Sequence, residues 1–343
     1  FVEKGLALCF FRLGFKRYHA AVIGWKLFGR CSRRFIRNAD VFHVRSGAGQ
    51  GGAISLAKRL GIPVIVDQSI AHPHFMELTL KKEYERNGQT FNSGPDNPFW
   101  SWVIKDCQAA DILLVNSRFV MDTFVQTGYP DDKIRVVHQG VRSDFFGLKS
   151  SYNQLFATES EVALRLLFTG SFSFRKGAEY LLMALRILIQ RGVNVVLTVV
   201  GSYSEAEPLL LNFEEELQYV EFIGHIPQDE LKTHLANADL YVFPSLAEGC
   251  ASSGMEAMAA GLCVVATQES GLPILDGETG YVVPAMDAET LADKIEWLRQ
   301  HPSDVKRVGQ AAAKLIKEEY TWEHYAEKIR LIYKELCSSS LSV

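Results

Sequence analysis

The sequence predicts an α/β chain of two doubly wound, Rossmann-like domains, and three observations carry that prediction. Short apolar runs of strand length alternate with longer stretches of helical periodicity along most of the 343 residues. The strand candidates are continuously apolar, as expected of parallel strands covered by helices on both faces. The rhythm breaks once, in the polar stretch from Gly147 to Ser160, and then resumes. With 48% hydrophobic and 22% charged residues, the chain has enough apolar material for two cores.

The elements can be justified in order. Residues 1–37 carry Lys4, Arg12, Lys16, Arg17, Lys26, Arg30, Arg33, Arg34 and Arg37 against Glu3 alone, in a chain of net charge −4. Phe10, Phe11, Leu13, Phe15, Trp25, Leu27, Phe28 and Phe35 are interleaved with them. An amphipathic helix lying on an anionic bilayer has this pattern, and so does a solvated basic face beside an ordinary core stripe. No apolar run approaches the ~20 residues that span a bilayer. Beyond this segment, Asp40–Val44 reads as a strand, Gly51–Leu60 as a helix and Pro63–Asp67 as the next strand. Helices are expected at His74–Arg86 and Phe99–Ala109, separated by the Gly/Pro-rich loop from Asn92 to Pro98. Asp111–Val115 is a strand, Ser117–Gln126 a helix closed by Gly128, and Ile134–His138 a strand.

The second series begins with a strand at Arg165–Thr169 and a helix at Ala178–Gln190 stopped by Gly192. Asn194–Val200 ends at Gly201, and Tyr219–Ile223 and Asp239–Phe243 flank a helix at Gln228–Ala236. Leu262–Ala266 and Tyr281–Val283 complete the strands, and residues 287–337 run helically. The cysteines Cys9, Cys31, Cys107, Cys250, Cys263 and Cys337 form no CxxC pair, which argues against a zinc site or disulfide framework and for a reducing compartment. The chain opens on Phe1 without a signal-peptide cleavage pattern. The expectation is a cytoplasmic protein, peripheral at most on the inner face of a membrane, whose sequence either begins partway through a longer product or has a remodelled N-terminal edge. No nucleic-acid partner is expected.

Ligands of such folds bind at the carboxyl ends of the strands, so two glycine-rich turns compete for attention. Gly47-Ala-Gly-Gln-Gly-Gly52 matches GxGxxG, with Asp67 about 20 residues on, the spacing of a dinucleotide fingerprint. That would make the protein an NAD-dependent oxidoreductase. Arg45 and Ser46, however, intervene between strand and first glycine, and a flexible glycine hinge is the alternative. The second turn is Gly170-Ser-Phe-Ser-Phe-Arg-Lys-Gly177, ahead of a helix. Arg175 and Lys176 stand at the helix end that disfavours cations unless an anion sits there. The spacing is not that of a Walker A loop. A third feature is the pair Glu248 and Glu256, the first at a strand exit and the second in the mostly apolar helix that follows.

Together these motifs resemble the retaining glycosyltransferases of family 4, which have the GT-B fold of two domains facing across a crevice. The resemblance rests on Arg175-Lys176-Gly177, on Glu248 and Glu256 as an E-x7-E pair, and on the runs Glu256–Thr267 and Gly277–Pro284. It implies an acceptor domain at 1–147, a nucleotide-sugar donor domain at 148–315, and a C-terminal helix at 316–343 packing back toward the first domain. It further implies that Arg175 and Lys176 hold the donor diphosphate without a metal ion. Glu256 would accept ribose hydroxyls and Glu248 would lie by the donor sugar, while Gly249, Cys250, Ala251, Ser252 and Ser253 contact sugar and phosphate. Gly170, Ser171, Gly201, His225 and Ile226 would complete the donor site, and His72, with Gln68 or Ser69 as alternatives, would touch the transferring sugar. Arg45, Ser46, Gln50, Asn116 and Arg118 are the acceptor contacts.

The implied substrate is a UDP-, GDP- or ADP-sugar, with no cofactor and no metal. Retention in this family needs no enzyme nucleophile, so the pair is not read as a glycosidase acid and nucleophile. The chain departs from the family in two places: Ser171 stands where Arg is usual, and the family's first strand is not visible. A donor-binding scaffold of weak activity, or a phosphorylase or epimerase on the same fold, are the competing possibilities.

Overall fold

The computed structural model describes residues 17–91, 94, 96–149, 152 and 162–340. They divide into two compact units: residues up to Lys81 with Thr90–Val137 and the chain from Ala326 onward, and Lys82–Gln89 with His138–Tyr325.

The first unit holds a parallel sheet whose strands lie in chain order, β1 (Phe42–Arg45), β2 (Val64–Gln68), β3 (Ile112–Val115) and β4 (Ile134–Val136). Val64, Val66, Leu113 and Val115 are fully buried, as the unbroken apolar runs require. Its helices are α1 (Arg17–Ile36), α2 (Ala53–Arg59), α3 (Pro73–Arg86), α4 (Pro98–Ala109) and α5 (Arg118–Val125). Local signals set two of their starts. Asn97 accepts the Phe99 N–H with Pro98 in the first helical position, and Ser117 accepts the Val120 N–H.

Residues 1–16 of the expected amphipathic segment lie outside the described residues. From Arg17 on, the segment is α1, which packs on α2 and α4 while Lys26, Arg30, Arg33, Arg34 and Arg37 stay exposed. Among the described residues no helix is long and apolar enough to cross a membrane.

The second unit holds six parallel strands in the order β10-β9-β8-β5-β6-β7: β5 (Leu164–Thr169), β6 (Val195–Val200), β7 (Val220–Gly224), β8 (Leu240–Phe243), β9 (Cys263–Thr267) and β10 (Tyr281–Val283). From β5 the chain winds outward to β7, then returns to β5's other side and winds out to β10. The reversal leaves a crevice where the carboxyl ends of β5 and β8 part. The helices of this unit are α6 (Ala178–Gln190), α7 (Glu207–Leu210), α8 (Gln228–Asn237), α9 (Ser252–Ala260), α10 (Ala288–Gln300) and α11 (Pro302–Glu319), while α12 (Trp322–Ser340) belongs to the first unit from Ala326 onward. The helical stretch expected over 287–337 is therefore three helices, interrupted at His301 ahead of Pro302 and at Tyr320–Thr321.

The division falls at Val137/His138 rather than at 147/148, because the chain is already bonded into the second unit by then. Val141 N donates to Tyr320 O, Gly147 N to Ala259 O and Lys149 N to Ala260 O. The linker expected from Gly147 to Ser160 is thus packed at its start, where Lys149 and Tyr152 are buried and bond to the carbonyls of Ala238 and Gly261. Residues 150–151 and 153–161 lie outside the described residues. In the first unit, the Tyr333 hydroxyl meets His43 Nδ1 at 2.7 Å and Glu335 pairs with Arg135, tying the last helix to β1 and β4.

Candidate functional site

The site grows from the end of β5. Gly170 follows it with φ 124°, and a Cβ there would lie 2.9 Å from Lys176 Nζ, so the glycine leaves room for an ammonium group. Phe174, Arg175 and Lys176 make one tight turn, and Gly177, at φ 75°, passes so close to β8's exit that a Cβ would lie 1.9 Å from Pro244 O. The exit strand is stitched to this turn, since Leu246 N and Ser245 Oγ both donate to Arg175 O. It is held from the other side as well: Thr267 Oγ1 donates to Ser245 O, Glu248 N to Glu269 O and Ala251 N to Ser270 O.

This stitching brings three charges together. Arg175 Nη1 lies 2.9 Å and Lys176 Nζ 3.4 Å from Glu248 Oε2, and all three side chains are largely buried. Arg175 Nη1 also donates to Ala247 O at 2.8 Å, and Lys176 Nζ lies over the Phe243 ring. Burial pushes the Glu248 carboxyl upward, but Arg175 and Lys176 outweigh it and hold the group below its ordinary value. Glu248 is therefore an anion. Its Oε2 is nevertheless buried without an aligned hydrogen bond, so the pairing is Coulombic. The anion expected beside Arg175 and Lys176 is, in the protein alone, this carboxylate.

Helix α9 opens beside this cluster without a side-chain cap, which leaves its first amides available to a ligand. Three hydroxyl contacts fix its approach to β5. Tyr241 donates to Ser253 Oγ at 2.8 Å, and Ser253 Oγ donates to Thr169 O at 3.2 Å. Tyr241 has one proton, so the 2.9 Å contact with Thr169 Oγ1 has threonine as donor and the circuit closes. Ser252 Oγ donates to Gln139 Oε1. Gly249, Cys250 and Ala251 are buried in the connecting loop, and burial pushes the Cys250 thiol up to about 12, leaving it protonated. Glu256 lies one turn into α9, half-buried. Burial pushes its carboxyl up to about 7, with Arg142 opposing and Asp144 reinforcing the shift.

The remaining residues expected at the donor site lie at the neighbouring strand ends. Gly201 N donates to Gly224 O, and a Cβ at Gly201 would lie 2.2 Å from Gly170 O, so β5, β6 and β7 end in close backbone contact. Ser171 is half-buried beside Gly170, while His225 (exposed) and Ile226 (half-buried) follow β7, two strands from β5. Sequence reasoning did not find Tyr241, Thr169 or Arg142. A Tyr inside the apolar run Leu240–Phe243 was the available signal, because a buried phenol needs a partner.

In the first unit the predicted residues separate. Ser46 Oγ donates to Gln68 Oε1 at 2.6 Å, and Asn116 Nδ2 reaches Ser69 O at 3.4 Å, so these four sit together at the carboxyl ends of β1 to β3. Asn116 Oδ1 is buried there with no partner among the described residues. Arg45 and Arg118 are exposed, the latter beside Asp122. His72 turns away from the strand ends. Its ring packs edge-on against Phe124 and lines a cavity of about 370 Å³ with Ile104, Cys107 and Tyr129, at the helix ends that lead into β3 and β4. Burial lowers it to about 4, with His74 adding to the effect, so it is neutral. Gln68 and Ser69, the alternatives named with it, lie at the strand end.

The turn at Gly47–Gly52 is no dinucleotide site either. Gly49 N donates to Asp106 Oδ2 at 2.8 Å and Gln50 Nε2 to Asp106 Oδ1, so a carboxylate occupies the place a pyrophosphate would need. Burial pushes Asp106 up to about 6, opposed by Gln50 and the amides of Gly49 and Gly47. The hinge expected there is instead a packed turn. A Cβ at Gly47 would lie 2.2 Å from the Trp25 ring, and one at Gly51 would lie 2.4 Å from Lys26 O. Among the described residues no three His, Cys, Asp or Glu side chains are grouped to hold a metal ion.

Known proteins bear on this arrangement. Solved structures share the fold: sucrose-phosphate synthase from Thermosynechococcus elongatus matches with a TM-score of 0.72 at 19% identity, covering 93% of this chain and 79% of that one. Anabaena HepE, solved in complex with UDP and glucose, matches with a TM-score of 0.64 at 15% identity, covering 89% and 80%. These are GT-B architectures.

Among relatives by sequence, the amylovoran biosynthesis glycosyltransferase AmsK of Erwinia amylovora is 32% identical, over 63% of this chain and 54% of its own. The sulfoquinovosyl transferase SQD2 of Arabidopsis thaliana is 26% identical, over 85% and 56%. The chain spans about half the length of these curated relatives. Residues 9–145 match the family described as Glycosyltransferase Family 4, and residues 163–301 that described as Glycosyl transferases group 1. With both halves matched in order, the chain belongs to the group 1, family 4 glycosyltransferases.

Proposed function

We propose that the protein transfers a sugar from a nucleoside-diphosphate donor to an acceptor hydroxyl, with retention of anomeric configuration. The observation that carries this is the convergence of Arg175 and Lys176 on one buried carboxylate at the reversal between β5 and β8, beside the uncapped start of α9. Two cations and a set of free amides match the charge and the oxygens of a diphosphate. The HepE structure holding UDP and glucose supports a nucleotide-sugar donor on this fold.

In this scheme the bond between the anomeric carbon and the phosphate oxygen breaks, and the electron pair leaves with the nucleoside diphosphate. Arg175 and Lys176 stabilise that growing negative charge and do the work elsewhere given to a metal ion. The acceptor oxygen forms its bond on the face the phosphate vacates, and its proton passes to the departing phosphate oxygen. Glu248, released from part of its ion pair, faces the positive charge developing on the sugar. Glu256 accepts hydrogen bonds from ribose hydroxyls. Ser171, where the family resemblance leads one to expect Arg, leaves the cationic work to the Arg175–Lys176 pair.

The test is direct. The protein is incubated with UDP-, GDP- and ADP-sugars while the melting temperature and slow donor hydrolysis are followed. One nucleotide class is expected to raise the melting temperature and to be hydrolysed. Stabilisation by NAD and by none of the nucleotide sugars would sink the proposal. Binding without turnover in any acceptor mixture would favour a donor-binding scaffold.

A further inference from the structure

The turn that carries Arg175 and Lys176 is gripped by a segment from far earlier in the chain. Residues 82–89, the last turn of α3 and its exit, belong to the second unit although α3 begins in the first. From this segment the Tyr84 ring lies 5.1 Å from that of Phe174, the buried residue immediately before Arg175. On the other side of the turn, Arg86 Nη2 meets Glu179 Oε2 at 2.6 Å and Asn87 Nδ2 reaches the same oxygen at 3.2 Å. The Tyr180 hydroxyl donates to Glu83 Oε2 at 2.8 Å, and Arg86 closes the set by pairing with Glu83. These contacts bracket Arg175, Lys176 and Gly177 from both sides.

Stability alone does not account for them. Helix α6 is already anchored by Leu181, Leu182, Leu185 and Leu188, all fully buried. Arg86 is half exposed, so its ion pairs contribute little to folding. Geometry is what they fix: the three-residue turn runs straight into Gly177 at positive φ, and among the described residues Tyr84 is the ring that meets it on the Phe174 side. We propose that the end of α3 holds the diphosphate-binding turn in its working shape, with Tyr84 a positioning residue that acts on Arg175 through Phe174. This rests on the donor-binding function proposed above.

The experiment compares Tyr84→Ala and Tyr84→Phe in the full chain. Dissociation constants are measured by calorimetry for UDP, GDP and ADP, and for uridine, guanosine and adenosine, alongside the melting temperature. Losing an aromatic pair is expected to weaken the diphosphate that wild type binds by about fivefold. Binding of the matching nucleoside stays unchanged, and Tyr84→Phe restores the wild-type value. Tyr180→Phe, which removes only the hydroxyl contact to Glu83, weakens diphosphate binding in the same sense by a smaller factor. Parallel weakening of nucleoside and diphosphate would show a merely structural role and overturn the proposal, as would an unchanged diphosphate constant. Failure of wild type to bind any of the three diphosphates overturns the donor reading itself, and this proposal with it.

Discussion

The turn after β1 and the turn after β5 share one local plan. Each leaves a parallel strand, carries at least two glycines at positive φ and leads into a helix. They differ in what meets their polar groups. At Gly47–Gly52 the amides and Gln50 converge on a carboxylate, Asp106, and the glycines let Trp25 and α1 close over the backbone. At Gly170–Gly177 the glycines make room for Lys176, and two cations point at a single carboxylate, Glu248. The first turn is filled by its own protein and negative, while the second carries a net positive charge at a strand reversal. Glycine spacing therefore reports only that backbone comes close to something. The sign of the nearest buried charge says whether that something is a ligand.

The largest expected effect tests the second turn. Replacing Arg175 and Lys176 together with Ala should lower turnover by about 10²- to 10³-fold, as for removal of preorganised charge from a transition state. Steady-state kinetics with the donor found by thermal shift will show it, and turnover kept within tenfold would erase the distinction between the turns. The first turn should respond in stability instead. Gly47→Ala places a Cβ against the Trp25 ring at φ 87° and should cost about 2–3 kcal/mol in urea denaturation, with nucleotide affinity unchanged. A shift in nucleotide affinity from that substitution would mean the first turn also meets the donor.

The smallest effect concerns pH. Glu256 is raised to about 7, so its contribution to folding is complete below the ordinary carboxylate range and is lost as pH rises through about 7. In the proposed donor site the ionised form accepts the ribose hydroxyls, so recognition would move the opposite way. Nucleotide affinity should tighten by up to about tenfold between pH 6 and 8, and Glu256→Gln should flatten that dependence.

How much of this was legible depends on distance along the chain. Arg175-Lys176-Gly177 and the span from Glu248 to Glu256 were readable because each motif is contiguous and each sits at a strand exit. The boundaries of α6 were readable from Gly177 and Gly192. Asp106 was not, since nothing within Pro98–Ala109 says that this one carboxylate faces inward toward a turn 57 residues earlier. Tyr84 was hidden for the same reason, its partner Phe174 being brought to it only by the tertiary fold. His72 is a different case. A histidine after β2 fits the expected pattern, but the chain turns before it arrives and gives the ring to Phe124.

The closed circuit of Thr169, Tyr241 and Ser253 bears on what the start of α9 can discriminate. Every hydroxyl proton in it is committed, and Ser252 has given its own to Gln139. What the first turn of α9 itself would offer a bound anion is main-chain amides, and main chain is the same whichever residues carry it. In the proposed donor site, the helix start would register that a phosphate is present, and the identity of the sugar would be read by other parts of the molecule.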